Sequence, residues 1–82
     1  MKVEITGYSL STEKFTYTVD GVEKTVQEED AYALYEDLFS KTMIPEMSAV
    51  AYIYKKAVDS GIKSCMGFIG LSVEVDQDGI PV

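Results

Sequence analysis

Apolar and polar residues alternate through KFTYTVDGVEKTV, residues 14 to 26, on either side of an Asp20-Gly21 pair. Asp-Gly suits a two-residue type I′ turn, because both central residues of that turn need positive φ. The turn sets a register. Val19 lies opposite Val22, Thr18 opposite Glu23, Tyr17 opposite Lys24, Thr16 opposite Thr25 and Phe15 opposite Val26. One face then carries Phe15, Tyr17, Val19, Val22 and Val26, with Lys24 as its one polar member. The other carries Thr16, Thr18, Glu23 and Thr25. The rest of the chain reads as cover for the apolar face.

Before the hairpin, KVEITGY (residues 2 to 8) alternates as well. It predicts a strand with Val3, Ile5 and Gly7 on one side and Lys2, Glu4, Thr6 and Tyr8 on the other. SLSTE is a polar connection short enough for a hairpin loop. After the hairpin, Ala31, Leu34, Tyr35, Leu38 and Phe39 recur at helical spacing. Glu28, Glu29 and Asp30 crowd the first turn of that helix and Lys41 stands near its end, both as the macrodipole favours. Thr25 and Glu28 have capping-box spacing, although Thr25 is also needed by the hairpin.

A second helix opens at Pro45, where the missing N–H costs nothing. Met47, Val50, Ala51, Tyr54 and Val58 share a face, flanked by Ile53 and Ala57. Ser48, Tyr52, Lys55, Lys56 and Asp59 lie opposite. Gly61 is placed as C′ of a Schellman ending, with Ile62 after it. Ile69, Leu71, Val73 and Val75 alternate with polar or small residues and predict a last strand from about Gly67 to Val75. Gly67 and Gly70 mark a bulge or a close backbone approach in it. Asp78-Gly79 reads as a turn, and Pro81 argues against a central strand beyond.

The order β-β-β-α-α-β predicts a two-layer α+β sandwich. Three strands form a meander, and two antiparallel helices return the chain to the same end. The last strand then runs antiparallel to the first and pairs beside it, giving a four-stranded, mainly antiparallel sheet of order 3-2-1-4 with both helices on one face. The alternative pairs the last strand with the third.

Composition narrows the chemistry. At 82 residues there is room for one domain, residues 1 to 82, with one core. Fourteen acids against seven lysines leave a net charge of −7, with no arginine and no histidine. Binding to nucleic-acid phosphates or to an anionic membrane is disfavoured, because both rest on cationic neutralisation. No apolar run is long enough to span a bilayer, the N-terminus lacks an apolar signal core, and the single Cys65 fits a reducing compartment. The expected location is cytoplasmic.

Without histidine, Ser-His and Cys-His catalysis is out of reach, and Cys65 has no evident activating group. Glu74, Asp76 and Asp78 before Gly79 look like the start of a calcium loop, but the chain ends before the acid that loop needs. A strand end running into an Asp-Gly turn accounts for them. No phosphate-loop glycine pattern is present. The expectation is a protein that is not an enzyme and uses no cofactor or metal.

Two surfaces remain as partner-binding candidates. One is acidic. Glu28, Glu29, Asp30, Glu36 and Asp37 stand together with no base between Gln27 and Ser40, and Glu29, Ala33 and Glu36 point to solvent. A solvated face and dipole complementation explain these acids without a partner; a basic groove in a partner protein explains them with one. The other is apolar. Met66 and Phe68 of the last strand fall on the uncovered sheet face near Tyr8, where they form a binding or dimer surface or lie under the tail Ile80-Pro81-Val82. The expected function is a non-enzymatic protein-binding module. By analogy of size and charge alone with small phage anti-defence proteins, it is a small acidic inhibitor or nucleic-acid mimic acting on a basic partner. The alternative is a homodimeric structural or regulatory subunit joined through the open sheet face.

Overall fold

A computed structural model describes residues 1–37 and 44–82. The strands are β1 (Lys2–Ser9), β2 (Lys14–Val19), β3 (Val22–Gln27) and β4 (Ser72–Glu74), and the helices are α1 (Glu28–Glu36) and α2 (Pro45–Asp59). A short 3-10 helix, Cys65–Phe68, precedes β4. The sheet is antiparallel in the order β3-β2-β1-β4, so the last strand pairs with the first and not with the third.

The β2–β3 hairpin has the register that its turn chemistry dictates, from Val19↔Val22 to Phe15↔Val26. Asp20 and Gly21 both have positive φ, +49° and +89°. Asp20 is also fixed to β1. Its Oδ1 accepts from the Lys2 N–H at 2.8 Å, and its own N–H donates to the Lys2 carbonyl at 2.9 Å.

The alternation expected for β1 fails after Ile5. The register steps from Ile5↔Tyr17 to Gly7↔Thr16, leaving Thr6 as a bulge. An extra residue reverses the facing of everything beyond it. Gly7 therefore joins Thr16 on the outer face, and Tyr8 turns inward opposite Phe15, their ring centroids 4.9 Å apart.

Helix α1 starts at Glu28 with Gln27 as its N-cap and no side-chain cap, so the Thr25–Glu28 capping box does not form; Thr25 stays in β3. Ala31 is buried and Leu34 and Tyr35 are half-buried, as the helical spacing requires; Leu38, Phe39 and Lys41 lie outside the described residues. Helix α2 begins at Pro45 and ends in the expected Schellman motif. Gly61 (φ +76°) donates to the Val58 carbonyl and Ile62 to the Ala57 carbonyl, each at 3.0 Å. Its buried face is rotated from the expected one. Ala49, Val50, Ala51, Ile53 and Ala57 are buried, whereas Val58 is 42% exposed.

The last strand is much shorter than alternation suggests. Residues 65–68 coil into the 3-10 helix, Gly70 takes φ +93°, and pairing with β1 covers Ser72–Glu74. Gly67 is a close approach: a Cβ there would sit 2.7 Å from Ile62 Cγ2. Phe68 is consequently not on the outer sheet face. It is 5% exposed and enters the core beside Val3, Ile5, Phe15, Tyr17, Ile53 and Val75. The tail folds back along β4, bridging Pro81 to Val75, with the Val82 N–H on the Glu74 carbonyl at 3.0 Å. No helix among the described residues is long and apolar enough to cross a membrane.

Candidate functional site

The bulge in β1 and the start of α1 together build a cleft. Tyr8 lies inward because of the bulge, and its hydroxyl donates to Glu28 Oε2 at 2.7 Å. The loop before β2 closes with the Glu13 N–H on the Ser9 carbonyl, and Glu13 takes the left-handed conformation, φ +56°. Its carbonyl accepts from the Glu28 N–H at 2.9 Å, which holds the loop against the first turn of α1. Glu28 and Glu29 follow on the helix, and Tyr32 lies one turn along. Tyr54 of α2, in edge-on contact with Tyr32, completes the lining. The resulting open cleft has a volume of about 420 Å³ and is lined by Glu13, Glu28, Glu29, Tyr32 and Tyr54.

Its walls are one end of a continuous aromatic series. Tyr32 meets Tyr54 edge-on at 5.7 Å, and Tyr54 stacks with Tyr35 at 5.2 Å. Tyr54 then meets Phe68 edge-on at 5.0 Å, Phe68 stacks with Phe15 at 5.1 Å, and Phe15 meets Tyr8. Off-centre and edge-on contacts of this kind hold rings in defined orientations, so the cleft is anchored directly in the core.

The electrostatics follow from the contacts. Hydrogen bonds from Tyr8 and from the Cys65 thiol hold the Glu28 carboxyl below the usual carboxylate range. The same Glu28 bond raises the Tyr8 phenol. Burial first, and then the Glu28 carboxylate, push the Cys65 thiol up to about 11. A thiol so raised is protonated at neutral pH and makes a poor nucleophile. Glu28 is thus half-buried and ionised, with neutral donors as its partners. Among the described residues the cations in ion pairs sit elsewhere, Lys24 on Glu46 and Lys55 on Asp59; none reaches Glu13, Glu28 or Glu29.

The acidic candidates divide accordingly. Glu28 and Glu29 line the cleft. Asp30 and Glu36 are exposed on α1 outside it, and Asp37 is the half-buried C-cap of that helix. Glu29, Ala33 and Glu36 are all exposed, as helical spacing predicts. The apolar candidates do not assemble. Tyr8 and Phe68 belong to the core side, and Met66 is 49% exposed on the 3-10 helix. The patch on which the dimer expectation rested is therefore not on the sheet face.

Sequence reasoning does not single out Glu13, Tyr32 or Tyr54, and it puts Tyr8 on the opposite face of the sheet. The signal for Tyr8 was Gly7, since a glycine inside a strand often marks a bulge. Glu13 carries no comparable mark.

At the other end of the chain the expected Asp-Gly turn forms. Asp76 Oδ1 accepts from the N–H groups of Asp78 (2.9 Å) and Ile80 (3.0 Å), so that oxygen serves the turn. Among the described residues no group of three or more Cys, Asp or Glu is arranged to hold a metal ion. Comparison of the chain with family models, curated proteins and solved structures returns no match.

Proposed function

We propose that this protein is a non-enzymatic binding module that engages a basic protein partner through the beginning of α1, acting as a small acidic inhibitor or nucleic-acid mimic. The observation that carries the reading is the cleft. Three glutamates line it, no cation of the described residues pairs with them, and the whole chain bears a net charge of −7. Exposed Asp30 and Glu36 extend the negative field along the same helix. A field of this sign attracts lysine- and arginine-rich surfaces and speeds their encounter. The protonated Cys65 thiol and the absence of histidine leave little for acid–base or nucleophilic catalysis.

The test begins with a pull-down from the native host to identify the partner. Its association rate is then measured at two ionic strengths, for wild type and for a Glu29→Lys/Glu36→Lys variant. Both glutamates are exposed, so the fold should persist. Steering acts over about 8 Å at physiological salt, so the wild-type rate should fall as salt rises and the variant should be slower at low salt. Equal rates for the two proteins, indifferent to salt, would remove the proposal.

A further inference from the structure

We infer that the open cleft lined by Glu13, Glu28, Glu29, Tyr32 and Tyr54 receives the guanidinium of one arginine side chain from the partner. The inference rests on the proposal that the partner is basic, and it adds where a single contact is made and by which group.

Shape supplies the first argument. The cleft is an open recess, and two of its five lining residues, Tyr32 and Tyr54, are aromatic. A ring face attracts a cation placed over it, and a planar guanidinium can stack there as an ammonium cannot. Tyr54 is held by Tyr35 and Phe68, so one wall is rigid before any ligand arrives. Tyr32 lies edge-on against Tyr54 and is 46% exposed, so it offers ring surface to solvent beside the glutamates.

Charge supplies the second. Glu28 is a half-buried carboxylate whose hydrogen-bond donor is the neutral Tyr8 hydroxyl. Neutral donors stabilise the anion without cancelling its charge. Glu13, from the loop before β2, and Glu29, from α1, also line the cleft, and no cation of the described residues pairs with either. A forked donor can address two carboxylates at once, which a point charge does less well. Glu13 also keeps a left-handed backbone conformation uncommon for its residue type while it lines the cleft.

The experiment is an NMR titration of the full chain with three capped pentapeptides. Each has a central arginine, lysine or citrulline between glycines. Citrulline keeps the shape of arginine and removes the charge. The expected result is saturable shifts confined to Glu13, Glu28, Glu29, Tyr32 and Tyr54 with the arginine peptide. Lysine should bind at least about threefold more weakly, and citrulline should produce no saturable shift. Tyr32→Leu keeps every charge and should weaken the arginine peptide at least about threefold. Glu13→Gln, in an exposed loop, should weaken it as well, which keeps the test open if the tyrosine variant is poorly folded.

Equal binding of arginine and lysine, unaffected by Tyr32→Leu, overturns the inference. So do shifts spread evenly over Asp30 and Glu36. Those outcomes leave the wider proposal standing, because a diffuse field would still steer a basic partner. Glu36 lies outside the cleft, so a Glu36→Lys effect on partner association, with no arginine site, separates the two failures.

Discussion

The Tyr17 hydroxyl donates to Glu46 Oε2 at 2.7 Å, joining the middle of the central hairpin to the first turn of α2. Tyr17 is 2% exposed, and Glu46 also accepts from Lys24 Nζ through its other oxygen, at 2.7 Å. Glu46 thus serves three ends. It satisfies the polar tip of a core tyrosine, it pairs with the one polar side chain of the hairpin's inner face, and it complements the N-terminus of its own helix.

Tyr17→Phe removes a bond to a charged acceptor and should cost about 1–2 kcal/mol. Glu46→Ala should cost more than Tyr17→Phe, since it leaves the phenol without an acceptor at a nearly closed site. Urea denaturation of both variants measures the difference. The Lys24 contribution should be small, because that side chain is 46% exposed and its ion pair is screened by water. The reverse ordering of the two variants would mean that the bond contributes little.

The same contacts set the acid response. Hydrogen bonds, from Lys24 at Glu46 and from Tyr8 at Glu28, hold both carboxyls below the ordinary value of 4.5. A folded-state pKa below the unfolded one gives stability that is complete above the unfolded value and is lost as pH falls through the folded value. Wild type should therefore lose stability from about pH 5 downward, and Glu46→Gln should lose less over that interval. Urea midpoints at about pH 6, 4 and 3 would show it. Parallel losses in the two proteins would place the acid sensitivity elsewhere.

The hairpin turn offers a backbone test. Gly21 has φ +89° and no atom within 4 Å of where a Cβ would stand, so a side chain there meets strain and not a clash. Gly21→Val should destabilise by roughly 1 kcal/mol or more, and Gly21→Asn by less, since asparagine tolerates the left-handed region. Thermal melting of both variants would distinguish strain from crowding. Equal losses would argue against a conformational cause.

Some of this architecture was legible in the sequence because local and tertiary demands agree. Asp20-Gly21 needs positive φ, its flanks alternate, and the register follows with no help from elsewhere. Pro45 and Gly61 mark the two ends of α2 by backbone chemistry alone. The misreadings arose where tertiary contacts override the local pattern. In β1 a bulge at Thr6 reverses Tyr8, and only Gly7 hints at it. In α2 the apolar arc is wide, and its alanines carry little directional weight, so periodicity could not centre the buried face. Near β4, alternation continues through Met66 and Phe68. The Gly67 approach to Ile62 and the positive φ of Gly70 break the strand there and send Phe68 inward. The cleft was half legible. Glu28 and Glu29 stand out as charge, but Glu13, Tyr32 and Tyr54 join them only through the fold.

Phe68 gives the sharpest contrast between the two placements. On an outer sheet face its truncation would cost within about half a kcal/mol, as surface substitutions usually do. In the structure it is 5% exposed, stacks on Phe15 and meets Tyr54 edge-on, so it links the core beneath β1 and β2 to the aromatic wall of the cleft. Phe68→Ala should therefore cost about 3–5 kcal/mol, a large share of the stability available to a domain of this size. It should also loosen Tyr54, because one of that ring's supports is gone. Phe68→Leu refills part of the volume and should recover much of the loss while leaving the ring contacts unmade. The measurement is urea denaturation of the three proteins, with the Tyr54 ring resonances followed by NMR. A Phe68→Ala protein as stable as wild type would return Phe68 to the surface and detach the cleft from the core.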